Sequence, residues 1–267
     1  MREAVSGIKH PAYRDAIALT RAGGRSATGR YLVEDADMVR QALAAPDTPI
    51  FAVFATPEAT SYLEVGCRER QCPLYIVGSG LLTKLVGTGY ETAVTAVAVV
   101  GQRTIAPSEL LTLPNPLILC GEHIHDPRNV GVLIRTAEAG GCAGLLLSDD
   151  SAEPFSRQTV RSTTGSILRL PLALTANLPQ TLTELKAQGA VIVTSSGESS
   201  LLAYHIDLSV RPLVLVVGNE QTGISEAIMQ VADFDVSLPM AGSADSLNVT
   251  VAGGILVYEA IRQAMAK

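Results

Sequence analysis

The residues of this chain best equipped for chemistry gather in three polar loops. The most informative runs from Leu238 to Ala252, where small polar residues crowd between an apolar strand and an apolar helix. Hydroxyl, carboxyl and amide groups follow one another there, from Ser243, Asp245, Ser246 and Asn248. An ordinary strand-to-helix connection needs a cap and a turn glycine, so this loop carries more chemistry than capping requires and reads as part of an active site. The segment Asp126 to Ala137 sets Asn129 and Arg135 around an apolar helical turn. The segment Val216 to Ser225 is a strand followed by a loop in which Gly218 and Gly223 flank Glu220. Glycine at such places lets the backbone come close to a ligand.

Each loop also has a plain structural reading. Asn129 can cap a helix and Arg135 can sit in a surface ion pair. The second loop can be a tight turn, and the third can do no more than cap the last helix. None is a common phosphate cradle, since the second loop lacks the Lys-Ser/Thr ending of a P-loop. A nucleotide-dependent oxidoreductase on a doubly wound sheet should show a three-glycine fingerprint after its first strand, and Gly121-Glu122-His123 supplies none.

The elements that must position these loops are legible as apolar runs. Before residue 106, runs at Tyr31–Val33, Ile50–Phe54, Leu74–Val77 and Ala93–Val100 alternate with helical stretches such as Met38–Ala45, which predicts a small α/β sandwich. Pro107, Pro114 and Pro116 mark residues 106–116 as a linker. After it, strands are expected at Leu117–Cys120, Leu145–Ser148, Val191–Thr194, Leu213–Val217 and Asp235–Leu238, with helices in the gaps. That alternation predicts a mostly parallel sheet, in which ligands bind beyond the carboxyl ends of the strands. Leu247, Val251, Ile255, Tyr258, Ile261 and Met265 recur at helical spacing and predict one apolar stripe on the final helix.

A length of 267 residues suggests two domains, 1–105 and 117–267. With 47% hydrophobic and 17% charged residues the composition is that of a compact protein rather than a disordered one. No run is long enough to span a bilayer, and Met1 to Val5 begin no secretory leader, so a cytoplasmic location without membrane attachment is expected. Four cysteines without a Cys-x-x-Cys pair and four scattered histidines predict buried thiols, with neither a metal site nor a disulfide framework. The net charge of −6 opposes binding to a polyanion, but it is unevenly spread. The first 30 residues hold six Lys and Arg against two acidic residues, so a small basic surface is expected there.

Taken in order, the three loops resemble the signature motifs of the SpoU/TrmH family of RNA ribose 2′-O-methyltransferases. The family pattern Asn-x-Gly-x-x-x-Arg-Thr-Ala matches Asn129 to Ala137, and Gly-x-Glu-x-x-Gly matches Gly218 to Gly223. The third, Pro-Met-x-Gly-x-x-x-Ser-Leu-Asn-Val-Ser/Thr-Val-Ala, matches Pro239 to Ala252. At the front, Arg25, Gly29 and Tyr31-Leu32-Val33-Glu34 are similar to the family's RNA-binding domain, which has an L30e-like fold. Asp35 stands where a glycine is usual, and Glu122 where an aspartate is usual.

The resemblance implies an α/β catalytic domain with a deep trefoil knot, one of the rare exceptions to unthreaded topology. It implies S-adenosylmethionine as cofactor, held by Gly218, Leu238 and Leu247 with Thr194 as a further candidate. It also implies a catalytic set of Arg135, Asn129, Glu220, Ser246 and Asn248. In that set Arg135 is expected to clamp the target phosphate and the developing alkoxide while the others orient it. RNA is the implied partner, with 23S rRNA the leading target, contacted by Arg14, Arg21, Arg25 and Arg30. A tRNA target and a non-catalytic RNA-binding protein of the same fold are the alternatives. Aromatic residues make up only 4%, without tryptophan, so readout of RNA shape and backbone is expected rather than extensive base stacking. A homodimer is implied as well, with Gly253-Gly254 admitting another backbone against the last helix.

Overall fold

In the computed structural model, residues 2–87, 94–244 and 246–267 are described. Ala93, expected to open a strand, and Asp245 of the third loop lie outside them. The chain divides into two compact units. One holds residues 1–103 together with 155–168, and the other holds 104–154 and 169–267.

The first unit begins with β1 (Arg2–Val5), α1 (Pro11–Ala18), α2 (Ala22–Thr28), β2 (Arg30–Glu34) and α3 (Ala36–Ala44). It continues through β3 (Ile50–Ala55), α4 (Pro57–Glu69), β4 (Leu74–Val77), α5 (Ser79–Val86) and β5 (Ala96–Gly101). Its sheet runs β1-β4-β3-β5-β2, with β5 antiparallel to both of its neighbours. Leu32, Phe54, Val97 and Val99 face Tyr13, Leu82 and Leu85 in its core. The buried Tyr13 keeps its hydroxyl satisfied by donating to the Leu81 carbonyl at 2.7 Å.

Residues 155–168, expected within the second half, pack with this first unit. Phe155 meets the Tyr31 ring at 5.1 Å, and Thr48 donates to the Leu168 carbonyl at 3.2 Å. Arg157 Nε donates to Glu34 Oε1 at 2.6 Å, and Glu34 is buried. Burial drives the Glu34 carboxyl up to about 7, against the opposing pull of the Arg157 and Arg161 guanidinium groups.

The second unit carries β6 (Leu117–Gly121), α6 (Pro127–Ala139) and β7 (Gly144–Ser148). The chain then passes through α7 (Arg157–Ser162), in the segment that joins the first unit, to β8 (Leu172–Thr175), α8 (Leu178–Ala187) and β9 (Val191–Ser195). It ends with β10 (Leu213–Val217), α9 (Glu226–Met229), β11 (Phe234–Val236) and α10 (Val249–Met265). The six strands are all parallel in the order β11-β9-β10-β6-β7-β8. β1 and β8 were not expected. The expected linker 106–116 is structured: residues 107–112 form a short 3₁₀ helix whose Leu110 is buried in the core of this unit.

Helix α10 packs on α6 through small residues. A Cβ on Gly253 would come within 3.1 Å of Leu133 Cδ2, and one on Gly140 within 2.4 Å of Val257 Cγ1. The close approach that Gly253 permits is therefore to the chain's own α6. Buried Val249, Leu256, Val257 and Ala260 form the inward side. The predicted apolar stripe turns the other way, with Val251, Tyr258 and Met265 exposed. Leu247 precedes the helix rather than belonging to it. All four cysteines are buried free thiols.

Candidate active site

Because every strand of the second sheet points the same way, the loops after β6, β9, β10 and β11 leave from one edge of it. β6 and β10 are neighbours in register, Gly121 opposite Val217, and the Glu122 N–H donates to the Val217 carbonyl at 3.0 Å. Residues some ninety to 120 positions apart meet at this edge. Asn129 Nδ2 donates to Glu220 Oε1 at 2.5 Å, and Asn248 Nδ2 reaches Asn129 Oδ1 at 3.4 Å. One hydrogen-bonded chain thus ties together all three loops singled out in the sequence.

The capping assignments explain which groups remain for chemistry. α6 is capped by Asp126, whose carboxylate accepts from the Arg128 N–H at 2.8 Å, with Pro127 in the first turn. Asn129 is thereby relieved of capping. Asn248 does cap α10: its Oδ1 accepts from Thr250 N–H at 2.9 Å and Thr250 Oγ1 at 2.6 Å. That leaves its amide nitrogen for Asn129, so Asn248 serves both the structural and the linking role.

The loop after β10 is held from both ends. Asn219 Oδ1 accepts from the N–H groups of Gln221 and Thr222 at 2.8 and 3.0 Å, while its Nδ2 donates to the His123 carbonyl at 2.7 Å. The buried Glu122 accepts from the Ser225 N–H at 2.8 Å. Glycine is required at 218, where a Cβ would stand 2.4 Å from the carbonyl carbon and oxygen of Gly223. These contacts fold the loop tightly over a cleft of about 720 Å³. Gly218, Leu238, Leu247, Glu220 and Ser246 line it, as do Ser195 to Ser199 and Asp235.

Thr194 is not among the lining residues. It is fully buried and donates to Asp235 Oδ1 at 2.9 Å, so it supports the lining through Asp235. Asp235 itself was missed. Its other carboxylate oxygen accepts from Ser196 Oγ at 2.6 Å and its carbonyl accepts from Ser199 Oγ at 2.7 Å, which fixes the loop after β9 as one wall. The run Ser195-Ser196-Gly197-Glu198-Ser199 at a strand's carboxyl end was the signal that could have revealed it.

Arg135 lies on the exposed side of α6 with Val132, outside the cleft lining. Among the described residues it makes no hydrogen bond or ion pair, so Asn129, Glu220, Ser246 and Asn248 do not hold it. In the first unit Arg14 and Arg21 are exposed, and the Arg30 guanidinium rests 3.7 Å over the Phe51 ring. Arg25 departs from the expectation. It is 6% exposed and donates to the Leu19 carbonyl at 2.9 Å, which makes it a packing element rather than a surface cation. Among the described residues no helix is long and apolar enough to cross a membrane, and no cluster of His, Cys, Asp and Glu is arranged to hold a metal ion.

Known proteins are similar to this chain in sequence and in fold. A 23S rRNA (guanosine(2553)-2′-O)-methyltransferase of Bacillus subtilis is 30% identical over 95% of this chain and 97% of its own. The crystal structure of an AdoMet-bound rRNA methyltransferase from Sinorhizobium meliloti is 28% identical and superposes with a TM-score of 0.88 over 98% of both chains. The SpoU methyltransferase AviRb of Streptomyces viridochromogenes, in complex with AdoMet, is 26% identical, with a TM-score of 0.85 over 97% of this chain and 99% of its own. The family model described as the SpoU rRNA methylase family matches residues 116–258, which include all three loops. With these likenesses and the junction of Asn129, Glu220 and Asn248, the chain belongs to the SpoU rRNA methylase family.

Proposed function

We propose that this protein transfers a methyl group from S-adenosylmethionine to a ribose 2′-hydroxyl of RNA, with 23S rRNA as the target. The observation that carries this reading is the Glu220–Asn129–Asn248 chain, which ties three separate loops together beside one cleft, with Glu220 on its wall. The cleft suits the cofactor. Its volume of about 720 Å³ lies within the ordinary range for small-ligand pockets. Gly218, Leu238 and Leu247 offer backbone groups and apolar surface, and Gly218 lets the loop fold back on Gly223 beside the cleft. The cofactor supplies an electrophilic methyl carbon on a sulfonium.

The chain's own residues do the positioning. Asn129, Glu220 and Asn248 hold the loops in one arrangement, and such preorganisation can supply several kcal/mol of a barrier. Arg135, a permanent cation with a planar fork of donors, grips the target phosphate and stabilises negative charge on the ribose oxygen as its proton departs. Ser246 offers a hydroxyl on the cleft wall.

The remaining features belong to the same reading. Arg14, Arg21 and Arg30 contact RNA phosphates, and the first unit is the L30e-like substrate-binding domain. The second unit carries the family's knot. The exposed stripe Val251, Tyr258 and Met265 of α10 pairs with a second copy in a homodimer, and that copy brings RNA to the exposed Arg135. The protein works in the cytoplasm. Mapping 2′-O-methylation in total RNA from cells with and without the gene tests the assignment. One 23S rRNA ribose should lose its methyl group, regain it with the intact protein and not with Arg135→Ala. An unchanged map, or loss of a base methylation instead, would reject it.

A further inference from the structure

The cleft has a single electrostatic sign. Among the described residues, its charged lining consists of Glu198, Glu220, Glu226 and Asp235, with no lysine, arginine or histidine. The carboxylates meet only neutral donors: Glu220 the Asn129 amide, Asp235 the Thr194 and Ser196 hydroxyls, Glu226 the Gln230 amide at 3.4 Å. Among the described residues none of the four is in an ion pair, and Glu198 has no hydrogen bond. Neutral donors orient a carboxylate without cancelling its charge. Glu198, Glu220 and Glu226 are exposed, so their charges add to one negative field in the cleft that salt screens.

We propose that this acidic wall reads the positive charge of the methyl donor, so that the cleft prefers S-adenosylmethionine to S-adenosylhomocysteine. The inference rests on the cofactor reading above. The donor carries a sulfonium and an ammonium against one carboxylate, a net charge of about +1 at neutral pH. In the transfer, the ribose oxygen forms a bond to the methyl carbon and the carbon–sulfur bond breaks with its electron pair left on sulfur. The hydroxyl proton departs to solvent. What remains in the cleft is a neutral thioether with one ammonium and one carboxylate. The attraction of the wall is therefore present before transfer and absent after it, which favours exchange of spent for fresh cofactor.

Glu198 and Glu226 are the members to alter, because Glu220 and Asp235 also hold loops in place. Calorimetry should measure dissociation constants of three probes: S-adenosylmethionine, sinefungin, which carries an amine where the sulfonium stands, and S-adenosylhomocysteine. Intact protein should bind the two cationic probes more tightly than the thioether, and added salt should narrow the gap. Each of Glu198→Gln and Glu226→Gln should reduce that preference by about two- to fivefold, the range for exposed charge interactions, with affinity for the thioether held. Equal affinity of the intact protein for S-adenosylmethionine and S-adenosylhomocysteine would overturn the charge inference and leave the cofactor reading standing. Equal weakening of all three probes in the double variant would also overturn it, since the carboxylates would then only shape the cleft. Failure of the intact protein to bind any probe would remove both.

Discussion

Asn129→Asp is the sharpest perturbation of the site, because it keeps the shape of the side chain and reverses one of its hydrogen-bonding groups. In the native contact Asn129 Nδ2 donates to Glu220 Oε1 at 2.5 Å. The variant replaces that donor with a carboxylate oxygen. A lost hydrogen bond to a charged group is worth about 1.5–3 kcal/mol. The new repulsion adds about 1 kcal/mol at 4 Å in water and more where solvent is excluded. Glu220 is solvent-exposed, so the low end of both ranges applies and the assembled junction should be weakened by about 2.5 kcal/mol. If methyl transfer needs all three loops closed, that energy corresponds to a rate about seventyfold lower. Asn129 caps nothing and makes no contact inside the core, so the melting temperature should fall by only a few degrees. Single-turnover methyl transfer and thermal unfolding measure the two quantities. Combining Asn129→Asp with Glu220→Gln returns a donor from the opposite side and should recover part of the rate. A single variant within twofold of the native rate at unchanged melting temperature would refute the claim that this junction assembles the site.

Four further outcomes are expected. Gly218→Ala puts a Cβ 2.4 Å from the Gly223 backbone, so it should open the loop and weaken cofactor binding by at least about tenfold, read by calorimetry. The raised Glu34 carboxyl, from an ordinary 4.5 to about 7, means the folded state binds the proton more tightly than the unfolded chain. Its stabilising contribution is full below about pH 4.5 and is lost as pH rises through about 7, a difference on the order of 1–3 kcal/mol. Thermal unfolding from pH 5 to 8 should accordingly fall less steeply in Glu34→Gln than in the intact chain, and parallel curves would contradict the assignment. Replacing Arg14 and Arg21 together should lower RNA affinity and flatten its salt dependence, while Arg25→Ala should lower stability and leave the salt slope alone. Tyr258→Glu, on the exposed face of α10, should shift sedimentation from dimer to monomer and reduce methyl transfer without lowering cofactor affinity.

What the sequence disclosed depended on whether a residue's type already stated its duty. The three loops were legible because amides, a guanidinium and glycines at fixed spacing beyond apolar runs have few other uses. Gly218, Leu238 and Leu247 do line the cleft, and a parallel second sheet does present the loops on one edge. β1 escaped notice because Arg2 and Glu3 at a sheet margin do not read as strand, and β8 because Pro171 and leucine-rich Leu172–Leu174 suit a helix as well. Their identities are set by pairing with β4 and β7. Arg25 and residues 155–168 were invisible for a different reason. Burial of a guanidinium depends on where the Leu19 carbonyl arrives, and the packing of a segment on a distant unit leaves no periodic mark in that segment.

Asp235 shows why a motif reading stops short of a site. It lies on the edge strand β11, where a carboxylate usually points to solvent and explains itself. Here β11 pairs with β9, so the carboxylate falls opposite Thr194 and within reach of Ser196. Three side-chain contacts to one residue then set the course of the loop after β9. That loop meets the glycine loop after β10 across the cleft, and both contribute charge of the same sign through Glu198 and Glu220. The order β11-β9-β10-β6 thus does two things at once. It brings Asn129 and Asn248 to Glu220, and it gathers Glu198, Glu220 and Asp235 along one cleft. A sheet with β9 and β10 exchanged would carry the same three motifs in sequence and still separate Gly218 from Asn129. The chemistry therefore depends on strand order as much as on the residues that the motifs name.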